Sequence, residues 1–80
     1  MTEDINGPEK VKAFREYLEI TQKQLAVFLG YKDYTTVQKW EVGAIKVPIS
    51  VLVLIKLLTK LKKDTALKFI LEEIKQNGIK

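Results

Sequence analysis

Residues 21–43, TQKQLAVFLGYKDYTTVQKWEVG, decide the fold. The stretch opens on Thr21-Gln22-Lys23-Gln24. In that order the threonine hydroxyl can accept from the N–H three residues on, and the Gln24 side chain can return a bond to the threonine backbone. Leu25, Phe28 and Leu29 follow at helical spacing, and Gly30 supplies the left-handed residue that ends a helix. The spacing predicts a helix over 22–29. Asp33 is an N-cap candidate for a second helix over 34–42. Val37, Trp40 and Glu41 then fall on its inner side, and Gly43 stops it. Trp40 is expected in the core, under this helix, not against a ligand.

The same punctuation extends outward. Pro8 suits the first position of a helix over 8–19, where a missing N–H costs nothing, and Val11, Phe14 and Leu18 share one face. Pro48 opens a fourth helix to Leu61, with Val51, Leu54, Ile55, Leu58 and Leu61 as its core stripe. Leu52, Val53 and Leu57 make this helix apolar almost all round. Residues 49–55 are also β-prone by composition, but the length and the three-four spacing favour a helix. Such a helix needs cover on more than one side, from a fifth helix or from a second subunit. Asp64 is the expected cap of that fifth helix, whose stripe is Leu67, Ile70, Leu71 and Ile74. Glu72 and Glu73 face out, Phe69 lies off the stripe, and Gly78 follows the end. Residues 1–7 and 78–80 are expected to be loose. The fold class expected is all-α: one domain over residues 1–80, a compact bundle of about five short helices.

Composition narrows the function. The 80 residues contain no cysteine and no histidine. Disulfides, thiolate nucleophiles, histidine bases and the usual zinc sites are therefore excluded. No catalytic constellation stands among the remaining carboxylates, lysines and hydroxyls, so the expectation is no enzyme, no cofactor and no metal. Residues 1–9 are polar and acidic, unlike a secretory signal. The longest apolar stretch, residues 47–58, is broken by Pro48, Ser50 and Lys56 and is too short to span a bilayer. A cytoplasmic location is expected. The net charge is +4 and is uneven: residues 1–20 carry −2, residues 21–46 carry +2 and residues 47–80 carry +4. A basic surface of this kind can face a polyanion, or can simply keep the protein soluble.

Two short helices joined by a tight glycine-containing turn form a helix-turn-helix pattern. Thr21-Gln22, Leu25-Ala26, Leu29-Gly30, Val37, Trp40-Glu41, Gly43 and Pro48 stand in the order and spacing of the Cro/cI-type repressors, and the chain resembles this XRE family over residues 10–61. Ala26 matches the small residue that the family places where its two helices cross. One departure is visible. Six residues, Tyr31 to Thr36, separate Gly30 from Val37, where the family usually has five.

The resemblance implies sequence-specific binding of double-stranded DNA by a homodimer on an inverted-repeat operator, without a cofactor. Carried over from Val37, Trp40 and Glu41, the base-reading positions are Tyr34, Thr35 and Lys39, with Thr36 and Gln38 next in line. Lys39 can donate to guanine O6 and N7, and Thr35 can meet a thymine methyl or a base edge. Tyr34 can offer its ring to a thymine methyl or its hydroxyl to a phosphate. Each is equally the kind of residue found on any exposed helix. The resemblance places Gln22 on the phosphate backbone, helped by the N–H groups of the helix start. Lys23, Lys32 and Lys46 flank the reading helix as further phosphate candidates. It also pairs Arg15, the chain's one arginine, with Glu41. Surplus apolar residues on helices 4 and 5 (about 48–77), including Leu57 and Phe69, together with Ile79 beyond them, are the candidate dimer face. The function expected is a small repressor of its own operon, in a phage, mobile element or bacterium. The alternative is an antitoxin-type interaction module that also binds DNA.

Overall fold

Five helices follow one another, with no strand among the described residues: α1 (Gly7–Leu18), α2 (Gln22–Leu29), α3 (Thr35–Glu41), α4 (Ile49–Thr59) and α5 (Lys63–Gly78). The computed structural model describes residues 7–78. None of these helices is long and apolar enough to cross a membrane.

Local chemistry fixes the boundaries. The capping box at Thr21 is complete: the Gln24 N–H donates to Thr21 Oγ1 at 3.0 Å, and the Thr21 N–H donates to Gln24 Oε1 at 2.8 Å. At the other end of α2, Gly30 has φ +93° and Tyr31 N–H donates back to the Ala26 carbonyl at 2.9 Å. This is a Schellman closure, which needs a left-handed residue. Helix α3 ends in the same way. Gly43 has φ +80°, and the Gly43 and Ala44 N–H groups donate to the Trp40 and Lys39 carbonyls. Helix α1 closes on the same geometry with a residue poorly suited to it. Glu19 has φ +59°, and Ile20 N–H donates to the Arg15 carbonyl at 3.0 Å.

The core is continuous across all five helices. Val11, Phe14 and Leu18 of α1 meet Leu25 and Ala26 of α2, Val37 and Trp40 of α3, Val51, Ile55 and Leu58 of α4, and Ala66 and Ile70 of α5. Ile20 and Val47 close it from the connections. Helix α1 packs against both α3 and α4, while α5 lies across α2. Asn77 Nδ2 of α5 donates to the Val27 carbonyl at 3.1 Å, and Phe69 meets Phe28 edge to face at 6.0 Å between ring centroids.

Several boundaries and stripe members differ from the sequence expectation. Gly7 is helical and buried in contact distance of Val47, so it is not loose; the other expected loose positions, residues 1–6, 79 and 80, lie outside the described residues, and Gly78 is the last residue of α5. Tyr34 takes the N-cap position of α3, one residue after Asp33. Asp33 still binds a first-turn group, since its Oδ1 accepts from Thr35 N–H at 2.9 Å. Pro48 is the N-cap of α4, and that helix stops at Thr59. Leu61 therefore falls beyond the helix and is exposed, not part of the stripe. Asp64 lies inside the first turn of α5, where its charge suits the helix dipole, but it is not the cap. Leu71 is exposed and Ala66 takes its place in the core, because α5 presents its 66–70–74 row to the bundle. Glu73 is half-buried, not fully outward.

Candidate nucleic-acid interface

Helix α3 is seven residues long and is anchored by one face. Val37 is 0% exposed and Trp40 1%. Trp40 sits under the helix, and Tyr31 from the preceding turn meets its ring edge to face at 5.6 Å. Ala26 is fully buried beside Leu25, with Leu29 partly buried against the same cluster, which lets α2 pass close to α3.

A polar clamp completes the anchorage. Arg15 Nε donates to Glu41 Oε2 at 2.7 Å and Arg15 Nη2 donates to Oε1 at 3.0 Å, a two-pronged pair between α1 and α3. Gln22 Nε2 donates to the same Oε1 at 3.0 Å, bringing in the first residue of α2. Arg15 Nη1 also reaches the Ile20 carbonyl at 3.3 Å. One carboxylate thus joins three helices. Burial raises the cost of charging Glu41, but the bonds from Arg15 and Gln22, with the charges of Arg15 and Lys12, outweigh it and hold the carboxyl below the usual glutamate range. The same bond to Glu41 raises the Arg15 pKa, against a smaller opposing effect of burial.

With Val37, Trp40 and Glu41 turned inward, the 3.6-residue period turns Thr35, Gln38 and Lys39 outward, and all three are exposed. Tyr34 stands at the helix start, 47% exposed, and Thr36 is half-buried on the flank. Lys23, Lys32 and Lys46 are exposed on α2, in the turn after it and in the loop after α3. Gln22 differs from these: it is half-buried with one amide hydrogen already given to Glu41. At the start of α3 the bond from Thr35 N–H, with a smaller effect of Lys39, holds Asp33 below the usual aspartate range.

Val42 was absent from the sequence-derived set. It lies seven residues after Thr35, on the same outward face, and is 72% exposed. The seven-residue spacing was available in the sequence, but an aliphatic residue there reads as core until the helix is seen to close at Glu41. Tyr31 was likewise not singled out. Its partner Trp40 is nine residues away, across the turn, and no periodicity links them.

This arrangement, a short helix held rigidly by its back and bare along its front, defines the helix-turn-helix class. The model of a helix-turn-helix family matches residues 11–67, and the chain belongs to that family, the XRE group of Cro/cI-like proteins. No curated protein and no solved structure matches the chain. The family binds DNA sequence-specifically and regulates transcription; it is a family of binding proteins, not typically of enzymes.

Proposed function

We propose that this chain is a cytoplasmic transcriptional repressor that sets α3 into the DNA major groove, as a homodimer on an inverted repeat. The observation that carries the proposal is the two-sidedness of α3: Val37 and Trp40 are buried to within 1%, while Thr35, Gln38 and Lys39 face solvent. A single α-helix fits the major groove, and a helix fixed by its back keeps its side chains in register with base edges. In this proposal Thr35, Thr36, Gln38 and Lys39 read bases from the helix and Tyr34 does so from its start. Lys23, Lys32 and Lys46 hold phosphates and carry no base information. Gln22 serves the backbone through its second amide hydrogen, with the first fixing its direction. Arg15 and Glu41 orient the reading helix.

One such helix covers too few base pairs for a useful operator, and a dimer places two of them one DNA turn apart. Leu57 at 57% exposure and Phe69 at 45% supply apolar surface for the dimer contact on α4 and α5. Ile79, the third residue assigned to it, lies outside the described residues. The proposed operator lies upstream of its own gene, as for an autoregulatory phage or mobile-element repressor.

The test is a gel shift on DNA from upstream of the gene, alongside random DNA, at several salt concentrations. Lys39→Ala should lose about 1–3 kcal/mol on the specific site and much less on random DNA. Tyr34→Ala should do the same if its ring meets a base. Equal losses on both DNAs would remove these residues from the base-reading set.

A further inference from the structure

A groove of about 630 Å³ runs between α1 and α4, and no residue of α2 or α3 lines it. Its floor and walls are apolar: Ala13, Phe14 and Tyr17 from α1 face Ile49, Leu52 and Val53 from α4. The apolar atoms are open to solvent, with Ile49 65% exposed, Val53 49% and Tyr17 47%. Exposed aliphatic side chains grouped in this way on so small a protein mark a contact surface. Two lysines, Lys10 and Lys56, are the only charged residues in the lining, and neither makes an ion pair among the described residues. Lys63 lies over the Tyr17 ring at 5.5 Å and is shared with Glu19 at 3.6 Å. No carboxylate lines the groove.

We propose that this groove receives an amphipathic helix of a different protein, with aliphatic or aromatic anchors on one face and acidic residues beside them. The shape fits this occupant. The lining runs along α4 from Ile49 to Thr59, roughly 15 Å at 1.5 Å per residue, or about three turns of a docked helix. Anchors at i, i+3 or i+4, and i+7 cover that length. The charge fits as well. Two ammonium groups with no ion pair among the described residues, beside an apolar floor, favour carboxylates on the incoming helix and disfavour a basic one.

A second copy of this chain is a poorer occupant. Among its described helices only α5 carries adjacent acids, Glu72 and Glu73. The large exposed apolar residues of α5 are Phe69 and Leu71, and Leu71 shares its surface with Lys68 and Lys75 as well as Asp64 and Glu72, a mixed charge that two groove lysines do not favour. The groove excludes α3, so its occupation and DNA reading use separate surfaces, and the inference stands apart from the DNA-binding proposal.

The probe is a synthetic helical 16-residue peptide with leucines at i, i+4, i+7 and i+11 flanked by glutamates. A control peptide replaces every glutamate by lysine. Each is titrated into the isotope-labelled full chain, with amide NMR shifts as the readout. The glutamate peptide should shift Ala13, Tyr17, Val53 and Lys56 and their neighbours, and bind at least tenfold more tightly than the lysine peptide. Lys10→Glu combined with Lys56→Glu should reverse that preference, and Val53→Asp should abolish binding of both peptides. The two lysines are exposed, so the charge-reversed variant keeps the test open should Val53→Asp fail to fold. Equal binding of the two peptides, shifts centred elsewhere, or no shifts at millimolar peptide would overturn the proposal. Groove shifts that grow with protein concentration alone would also overturn it, by showing that a second copy fills the site.

Discussion

Glu41 is the residue on which the orientation of α3 turns, since its carboxylate accepts from both Arg15 and Gln22. Its side chain is 6% exposed, and that of Arg15 17%. Breaking such a pair leaves a largely buried charge without its partner. Arg15→Met is therefore expected to lower the unfolding free energy by about 2–3 kcal/mol, measured by urea denaturation. It should also weaken operator binding by more than the loss of one surface charge does. The pH dependence follows from the depressed Glu41 pKa. The stabilisation is fully present above the unfolded glutamate value, about 4.3, and is lost as pH falls through the lower folded value. Acid titration of the Arg15→Met protein should show a shallower loss of stability in that window than the parent; an identical slope would mean that Glu41 does not contribute there. The Arg15–Glu41 pairing was legible from the sequence only through the family resemblance, because 26 residues separate the two. The engagement of Gln22 was not legible. A glutamine at a helix start has several possible partners, and only the packing of α2 against α3 brings it to Glu41.

At the scale of helices, boundaries were read where a side chain or a glycine dictates them. The Thr21–Gln24 box and Gly30 bracket α2 as the sequence indicates. Boundaries slipped where the signal was weaker. Asp33 binds Thr35 from outside α3, and no glycine marks the end of α4, which closes two residues early and leaves Leu61 exposed. The core stripe of α4 was otherwise legible despite the apolar surplus, with Val51, Ile55 and Leu58 buried and Leu54 packed against them. The three-four spacing picked the buried face, and the surplus residues Ile49, Val53 and Leu57 lie outside it. The end of α1 makes a separate prediction. Glu19 holds a left-handed conformation that favours glycine, and its contact with Lys63 is exposed. Glu19→Gly should raise stability by up to about 1 kcal/mol, the relief of strain exceeding the added freedom of the unfolded chain. The opposite change at α2, Gly30→Ala, should cost about 1 kcal/mol, because φ +93° is strained for any side chain even with open space around it. Thermal unfolding of both variants checks the pair, and equal shifts in one direction would contradict the backbone explanation.

For the molecule as a whole, the five helices of the described residues enclose one core and leave the front of α3 bare, the face proposed above for DNA. The proposed dimer should release counterions as it binds. With roughly 6–10 phosphates neutralised, affinity should fall by about 10³–10⁵ between about 50 and 200 mM salt, and a monomer-like slope would remove the dimer. The all-α class, the helix-turn-helix and the inward positions of Val37 and Trp40 were all legible in the sequence. The residues proposed to read bases were legible only as a face, since the turn from Gly30 to Thr35 is not fixed by the family's spacing. An amide NMR titration of the labelled chain with upstream DNA tests the central claim most directly. The largest shifts should fall on Thr35, Gln38, Lys39 and Val42, with smaller ones at Lys23, Lys32 and Lys46. Shifts concentrated on α1, α4 or α5, with α3 unmoved at saturation, would contradict it.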